Sequence, residues 1–270
     1  MMRRLAWIGG LMLLAPISVA RAGLLSGTGP VGGGEAIATA DVGHMVTADY
    51  VTRSDYTFGF LYGSKDITDG SDFTSVLRAF DTWTSLPEAD LTYCYRPSRA
   101  TAKLGGTNGH NDVTWVSADH FGADAWTDIL GFSQRSIAVT VTWYYPDTGR
   151  ISERDIYFND IHMSWRTDTD GVSQGGYLVE HIALHEIGHI YGLRDVYNPG
   201  QSGYASWMGS DNEGLTMYAY TTWWSDDVTL SAADILAVAT AYPAAVPEPA
   251  TLALLALGAV LLRPKRPNRP

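Results

Sequence analysis

His185 and His189 stand four residues apart with Glu186 between them, following the apolar residues Leu178, Val179, Ile182, Ala183 and Leu184. In a helix that spacing puts the two imidazoles one turn apart on the same face, where they can converge on one ion. Zinc fits such a pair. Glu186 is rotated off that face, yet its longer side chain can reach a water on the metal without becoming a ligand, which is the place of a general base. Two histidines leave a catalytic zinc incomplete, because such an ion usually has three protein ligands and a water. Gly192 lies three residues past His189, where a glycine can take the left-handed conformation that ends a helix and turns the chain back. Asp195 follows three residues later.

The stretch His185-Glu186-Ile187-Gly188-His189-Ile190-Tyr191-Gly192-Leu193-Arg194-Asp195 resembles the metzincin signature H-E-x-x-H-x-x-G-x-x-H, with aspartate in place of the third histidine. That resemblance implies one catalytic Zn2+ held by His185, His189 and Asp195, with Glu186 as base, in a zinc-dependent endopeptidase. Some metzincin-like bacterial proteases are similar in using aspartate there. The added negative charge should leave a water at the metal slightly less acidic than in a three-histidine site. Leu215-Thr216-Met217-Tyr218 looks like the methionine turn of matrixins, with Met217 as a hydrophobic floor and Met208 as a competing candidate. Residues 79–83, 154–159 and 229–235 also look like matrixin segments, so the similarity spans most of residues 55–243.

Two family features are missing. No cysteine-switch segment precedes the domain, so any latency must work otherwise. Astacins and serralysins place a tyrosine two residues after the turn methionine; here that position is Ala219, and Tyr220 comes one residue too late to be assigned as a ligand.

The elements that must hold these residues read as one α+β domain over residues 46–245. From Asp72, an expected N-cap, the residues Phe73, Val76, Leu77, Phe80 and Trp83 recur at helical spacing, and Pro87 gives a stop. Runs rich in β-branched and aromatic residues at 56–62, 91–95, 113–117, 137–145 and 155–159 read as about five strands. A second helix is expected over 177–191, after Gly175-Gly176. A third is expected over 231–242, where Ser231 and Asp234 have capping-box spacing. The resemblance makes this a zincin domain, a twisted and mostly parallel sheet with an active-site helix and a C-terminal helix. A protein or peptide substrate would lie extended along an edge strand, for which residues 137–143 are the candidate.

Both ends carry addresses. Arg3 and Arg4, the apolar run 5–19 and Ala20-Arg21-Ala22 make residues 1–22 a signal peptide with an A-x-A cleavage site, and residues 23–45 a Gly-rich leader. At the other end Pro247-Glu248-Pro249, a short apolar stretch and Arg263, Lys265, Arg266 and Arg269 resemble the PEP-CTERM sorting signal of Gram-negative bacteria, over residues 246–270. The resemblance implies transient membrane contact and recognition by an exosortase, hence an exported protein at the cell envelope surface or secreted. The net charge of −11 understates the acidity between the ends, since residues 23–247 hold 11 basic and 28 acidic side chains. A nucleic-acid partner is therefore not expected.

The remaining chemistry-bearing residues have plainer readings. His181 continues the row of His185 and His189 but would close the site as a fourth ligand, so it reads as a helix-surface or core histidine. His44, His110, His120 and His162 show no metal-ligand spacing. Asp66, Asp69, Asp72, Asp168 and Asp170 lack the spacing of a calcium loop and read as solvated turns, which leaves calcium undecided. Cys94, the one cysteine, reads as a small core residue. The other class of function is a surface or matrix-associated zinc-binding protein without protease activity. Its mark would be a lost general base, and Glu186 is present.

Overall fold

The computed structural model describes residues 18–22, 25–26, 55–96, 104–144, 151–167, 175–202, 204, 208, 211–222 and 224–244. In chain order the strands and helices are β1 (Ser18–Ala22), β2 (Leu25–Ser26), β3 (Asp55–Phe60), α1 (Ser71–Thr84), β4 (Thr92–Tyr95), β5 (Asn111–Val116), α2 (Ala118–Phe121), β6 (Ala138–Tyr144), β7 (Ile151–Asn159), β8 (Trp165–Arg166), β9 (Tyr177–Leu178), α3 (Val179–Ile190), β10 (Tyr220–Thr221) and α4 (Ala232–Ala241). All five expected strands form, and they join one sheet in the order β4-β3-β5-β7-β6. The first four run parallel, and β6 runs antiparallel to β7. β1, which falls within the expected signal peptide, lies antiparallel along the outer side of β6. β2, within the expected leader, pairs in parallel with β10; the expectations for the rest of residues 1–45 and for 246–270 lie outside the described residues.

Strand alternation decides what each face packs against. Tyr56, Phe58 and Phe60 of β3 point to one side, where Phe80 of α1 stacks on Phe58 and Tyr56 with ring centroids 4.6 and 5.7 Å apart. Trp83, one turn further along α1, donates its ring N–H to the Leu184 carbonyl of α3 at 2.9 Å. This face holds the larger core, shared by α1, α3 and the sheet. On the opposite face Val139, Val141 and Trp143 of β6 meet Trp126 and Leu130 from the connection between β5 and β6. The sequence reading did not anticipate that second core, because the connection contains only the short α2 and one π-helical turn, Ala125–Ile129. Neither has an amphipathic period long enough to recognise.

Two expectations are corrected. Asp72 is not the N-cap of α1. The cap lies two residues earlier, at Gly70 with φ 78°, and the buried Asp72 carboxylate accepts the Ser64 N–H at 2.8 Å. It is therefore an anchor for the preceding loop rather than a solvated turn residue. Cys94 is exposed, not buried. Its neighbour Tyr93 stacks on Phe80 at 5.0 Å, so alternation along the edge strand β4 turns Cys94 to the other face. The tryptophans side with the core: Trp83, Trp115, Trp126, Trp143 and Trp165 are buried, whereas Trp224 is exposed. Among the described residues no helix is long and apolar enough to cross a membrane.

Candidate metal centre

Helix α3 begins at Val179, two residues later than expected, because Tyr177 and Leu178 pair with Trp165 and Arg166 as β9 and β8. It is buried on nearly all sides, which suits its apolar composition. Its end has the predicted turn. Gly192 has φ 90°, its N–H bonds the His189 carbonyl at 3.0 Å, and the Leu193 N–H reaches back to the Gly188 carbonyl at 2.9 Å. These two bonds make a Schellman cap and reverse the chain toward the helix. Arg154 of β7, buried beneath this end, donates to the Ile190 carbonyl, placing a cation at the negative pole of α3.

After the turn, Val196 fastens the chain to the methionine turn: its N–H bonds the Met217 carbonyl at 2.8 Å and its carbonyl accepts the Ala219 N–H at 3.0 Å. Asp195 is thereby held one residue from a backbone anchor. Met217 is fully buried against Gly188, on the helix turn between the two histidines. A Cβ at Gly188 would collide with the Met217 sulfur and come within 3.3 Å of Trp83. Met208 instead accepts the Tyr197 N–H on its sulfur at 3.4 Å, so the floor of the site is Met217.

The three donor atoms form a small triangle. His185 Nε2 lies 3.1 Å from His189 Nε2 and 3.1 Å from Asp195 Oδ1, and His189 Nε2 lies 3.4 Å from the same oxygen. Tetrahedral zinc with bonds of ~2.0–2.1 Å has its ligand atoms ~3.3–3.4 Å apart, so the spacing suits one such ion with its fourth position open. The rings are oriented for it. His185 Nδ1 bonds the Thr216 carbonyl at 2.9 Å and His189 Nδ1 the Leu193 carbonyl at 2.8 Å, which leaves each Nε2 as the lone-pair nitrogen facing the triangle. Among the described residues this is the one group of three or more His, Cys, Asp and Glu side chains close enough to share an ion.

Charges inside the triangle support one another. In the metal-free protein, where the histidines can carry protons on Nε2, burial works against the Asp195 carboxylate, but the charge of His189 and hydrogen bonds from both histidines outweigh it and hold its pKa below the usual value. Burial likewise opposes a charged His189, yet Asp195 beside it raises that pKa to about 9. Tyr197 lies with its hydroxyl 3.4 Å from the second Asp195 oxygen, and that neighbouring carboxylate raises the phenol pKa, so the group stays a donor.

Glu186 is fully buried beside this group. Burial pushes its carboxyl above the ordinary glutamate value, against the pull of His189 and His185. Thr140 of β6 donates to Glu186 Oε2 at 2.8 Å, and its hydroxyl lies 3.0 Å from the Glu186 carbonyl oxygen. The candidate substrate strand therefore runs directly beside the candidate base.

All four predicted residues, His185, Glu186, His189 and Asp195, meet at one place. His181 stays out: its ring nitrogens bond the Asp227 carbonyl and the Thr221 hydroxyl. His120 pairs with the Ser117 hydroxyl and stacks on Tyr62, and His44 lies outside the described residues. Tyr220 packs edge-on against Tyr197, with centroids 6.1 Å apart. Thr140, Arg154 and Tyr197 were missed. Tyr197 had a local signal, two residues past Asp195; Thr140 and Arg154 come from distant strands and had none.

Comparison with known proteins speaks to the other end of the chain. Residues 245–266 match the PEP-CTERM protein-sorting motif. That motif implies an exported protein, directed to the cell envelope of a Gram-negative bacterium and recognised by an exosortase-type enzyme. No curated protein matches the chain.

Proposed function

We propose that this chain is an exported zinc endopeptidase of metzincin type. One observation carries the reading: two imidazole nitrogens and a carboxylate oxygen face one another within 3.1–3.4 Å, with Glu186 buried at their side. His185, His189 and Asp195 would hold the ion. Zinc in that position would polarise a scissile carbonyl and lower the pKa of an attacking water. Glu186, its pKa raised by burial, takes the water's proton and delivers it to the leaving amine. The substrate lies extended on the outer side of β6, where main-chain hydrogen bonds accept many sequences. β6 is not the edge of the sheet, because β1, part of the expected signal peptide, pairs along that side; a substrate would take the place of β1, on the strand that touches Glu186.

The test is zinc content and casein cleavage by the purified protein beside Glu186→Ala. About one zinc in each, with cleavage by the unmutated protein alone, is the expected result. Zinc without cleavage of any protein by either would shift the reading to a surface zinc-binding protein.

A further inference from the structure

Thr140 occupies a position where two requirements of the proposed reaction meet. Its hydroxyl is buried, 1% of the residue being exposed, and donates to the Glu186 carboxylate at 2.8 Å. Its main chain faces away from β7. The Asn159 N–H bonds the Ile137 carbonyl, so Ile137 turns its polar groups toward β7. Alternation then turns those of Val139 and Val141 toward β7, and those of Thr140 and Thr142 toward the outer side of β6, where β1 pairs. On that side β1 lies antiparallel, with Ala22 opposite Thr140 and Ala20 opposite Thr142. An extended backbone is thus already seen to pair at the residue whose side chain holds Glu186.

We propose that Thr140 is a positioning residue, which locks the Glu186 carboxylate in place while its own main chain receives an extended peptide along β6. This rests on the zinc endopeptidase reading. One residue then sets both the height of the peptide and the place of the base. A hydroxyl on Oε2 fixes the orientation of the Glu186 carboxylate relative to β6. Backbone pairing is available to any residue type, whereas holding the carboxylate needs a hydroxyl. The two contributions can therefore be separated by substitution.

Thr140→Val keeps the branched shape and removes the hydroxyl; Thr140→Ser restores it; Thr140→Ala removes it without an added methyl to accommodate. Steady-state cleavage of a quenched fluorescent casein-derived peptide, zinc content and melting temperature are measured on each full-length purified protein. Displacing the base should lower kcat by about 10–100-fold, with KM changed less than about twofold. Zinc content should be unchanged in all variants, and Thr140→Ser should recover most of the rate. If Thr140→Val fails to fold, Thr140→Ala carries the same expectation. Wild-type kcat in a folded, zinc-loaded hydroxyl-free variant would overturn the positioning role while leaving the protease reading intact, and so would equal losses in the serine and valine variants. A wild-type protein that binds zinc and cleaves no peptide would remove the protease reading and the positioning role with it.

Discussion

Asp195 is the residue on which the candidate site departs from three histidines, and its surroundings show how a carboxylate is made to fit. One oxygen faces both Nε2 atoms and the other faces the Tyr197 hydroxyl, so the group has a donor on each side. Asp195→Ala should lower zinc affinity by more than the roughly 10–100-fold typical of losing an outer partner of a ligand. Competition with a chromogenic chelator would measure it. Full zinc and activity in that variant would remove Asp195 from the ligand set. The ligands were legible in the sequence because their relations are local, a helical turn from His185 to His189 and a glycine turn from His189 to Asp195. Thr140 was not legible. It is 46 residues from Glu186 and meets it only because β6 and α3 cross.

At the scale of elements, α3 is held from three directions: by Trp83 of α1, by Arg154 of β7 and by Met217 beneath it. Gly188 is what lets the methionine turn approach. Gly188→Ala adds a carbon where the Met217 sulfur sits, in contact range of Trp83. Overpacking of this kind costs about 1–3 kcal/mol. Met217 can recover part of that cost only by shifting the turn whose Thr216 carbonyl orients His185. The variant should therefore melt at lower temperature and also bind zinc more weakly, readable by calorimetry and chelator competition. A stability loss with unaltered zinc affinity would uncouple the turn from the ligands. Helix existence was readable from periodicity, and the Ser231 cap of α4 formed as its spacing required, its side chain accepting the Asp234 N–H. Helix starts were less readable. A left-handed Gly70 displaced Asp72 from the cap, and the pairing of Tyr177 and Leu178 shortened α3.

Across the whole molecule, buried carboxylates set the response to pH. Asp112, Glu153 and Asp155 sit together on the sheet face away from α3. The Asn108 and Gly109 N–H groups donate to Glu153, and the Asp112 N–H donates to Asp155. Burial raises the pKa of all three, as it does for Asp72, Asp160 and Glu186, while Asp195 moves the other way. Where a folded-state pKa exceeds its unfolded value, the folded chain holds more protons, so stability is fullest below the unfolded value and falls as pH rises through the folded one. The metal-free protein should accordingly lose melting temperature as pH rises above the ordinary carboxylate range, and Asp155→Asn should flatten that slope. A melting temperature that climbs with pH there would contradict it. No sequence pattern announced this group, since Asp112 and the β7 pair come together only through the parallel register of β5 and β7.

Whether His185, His189 and Asp195 hold a catalytic zinc is decided by stripping the purified protein with a chelator, removing the chelator, and titrating zinc back while following casein cleavage. Cleavage should vanish in the stripped protein and return in full at about one equivalent. Cleavage that persists without zinc, or activity that zinc cannot restore to a protein that has remained folded, would contradict a catalytic zinc there.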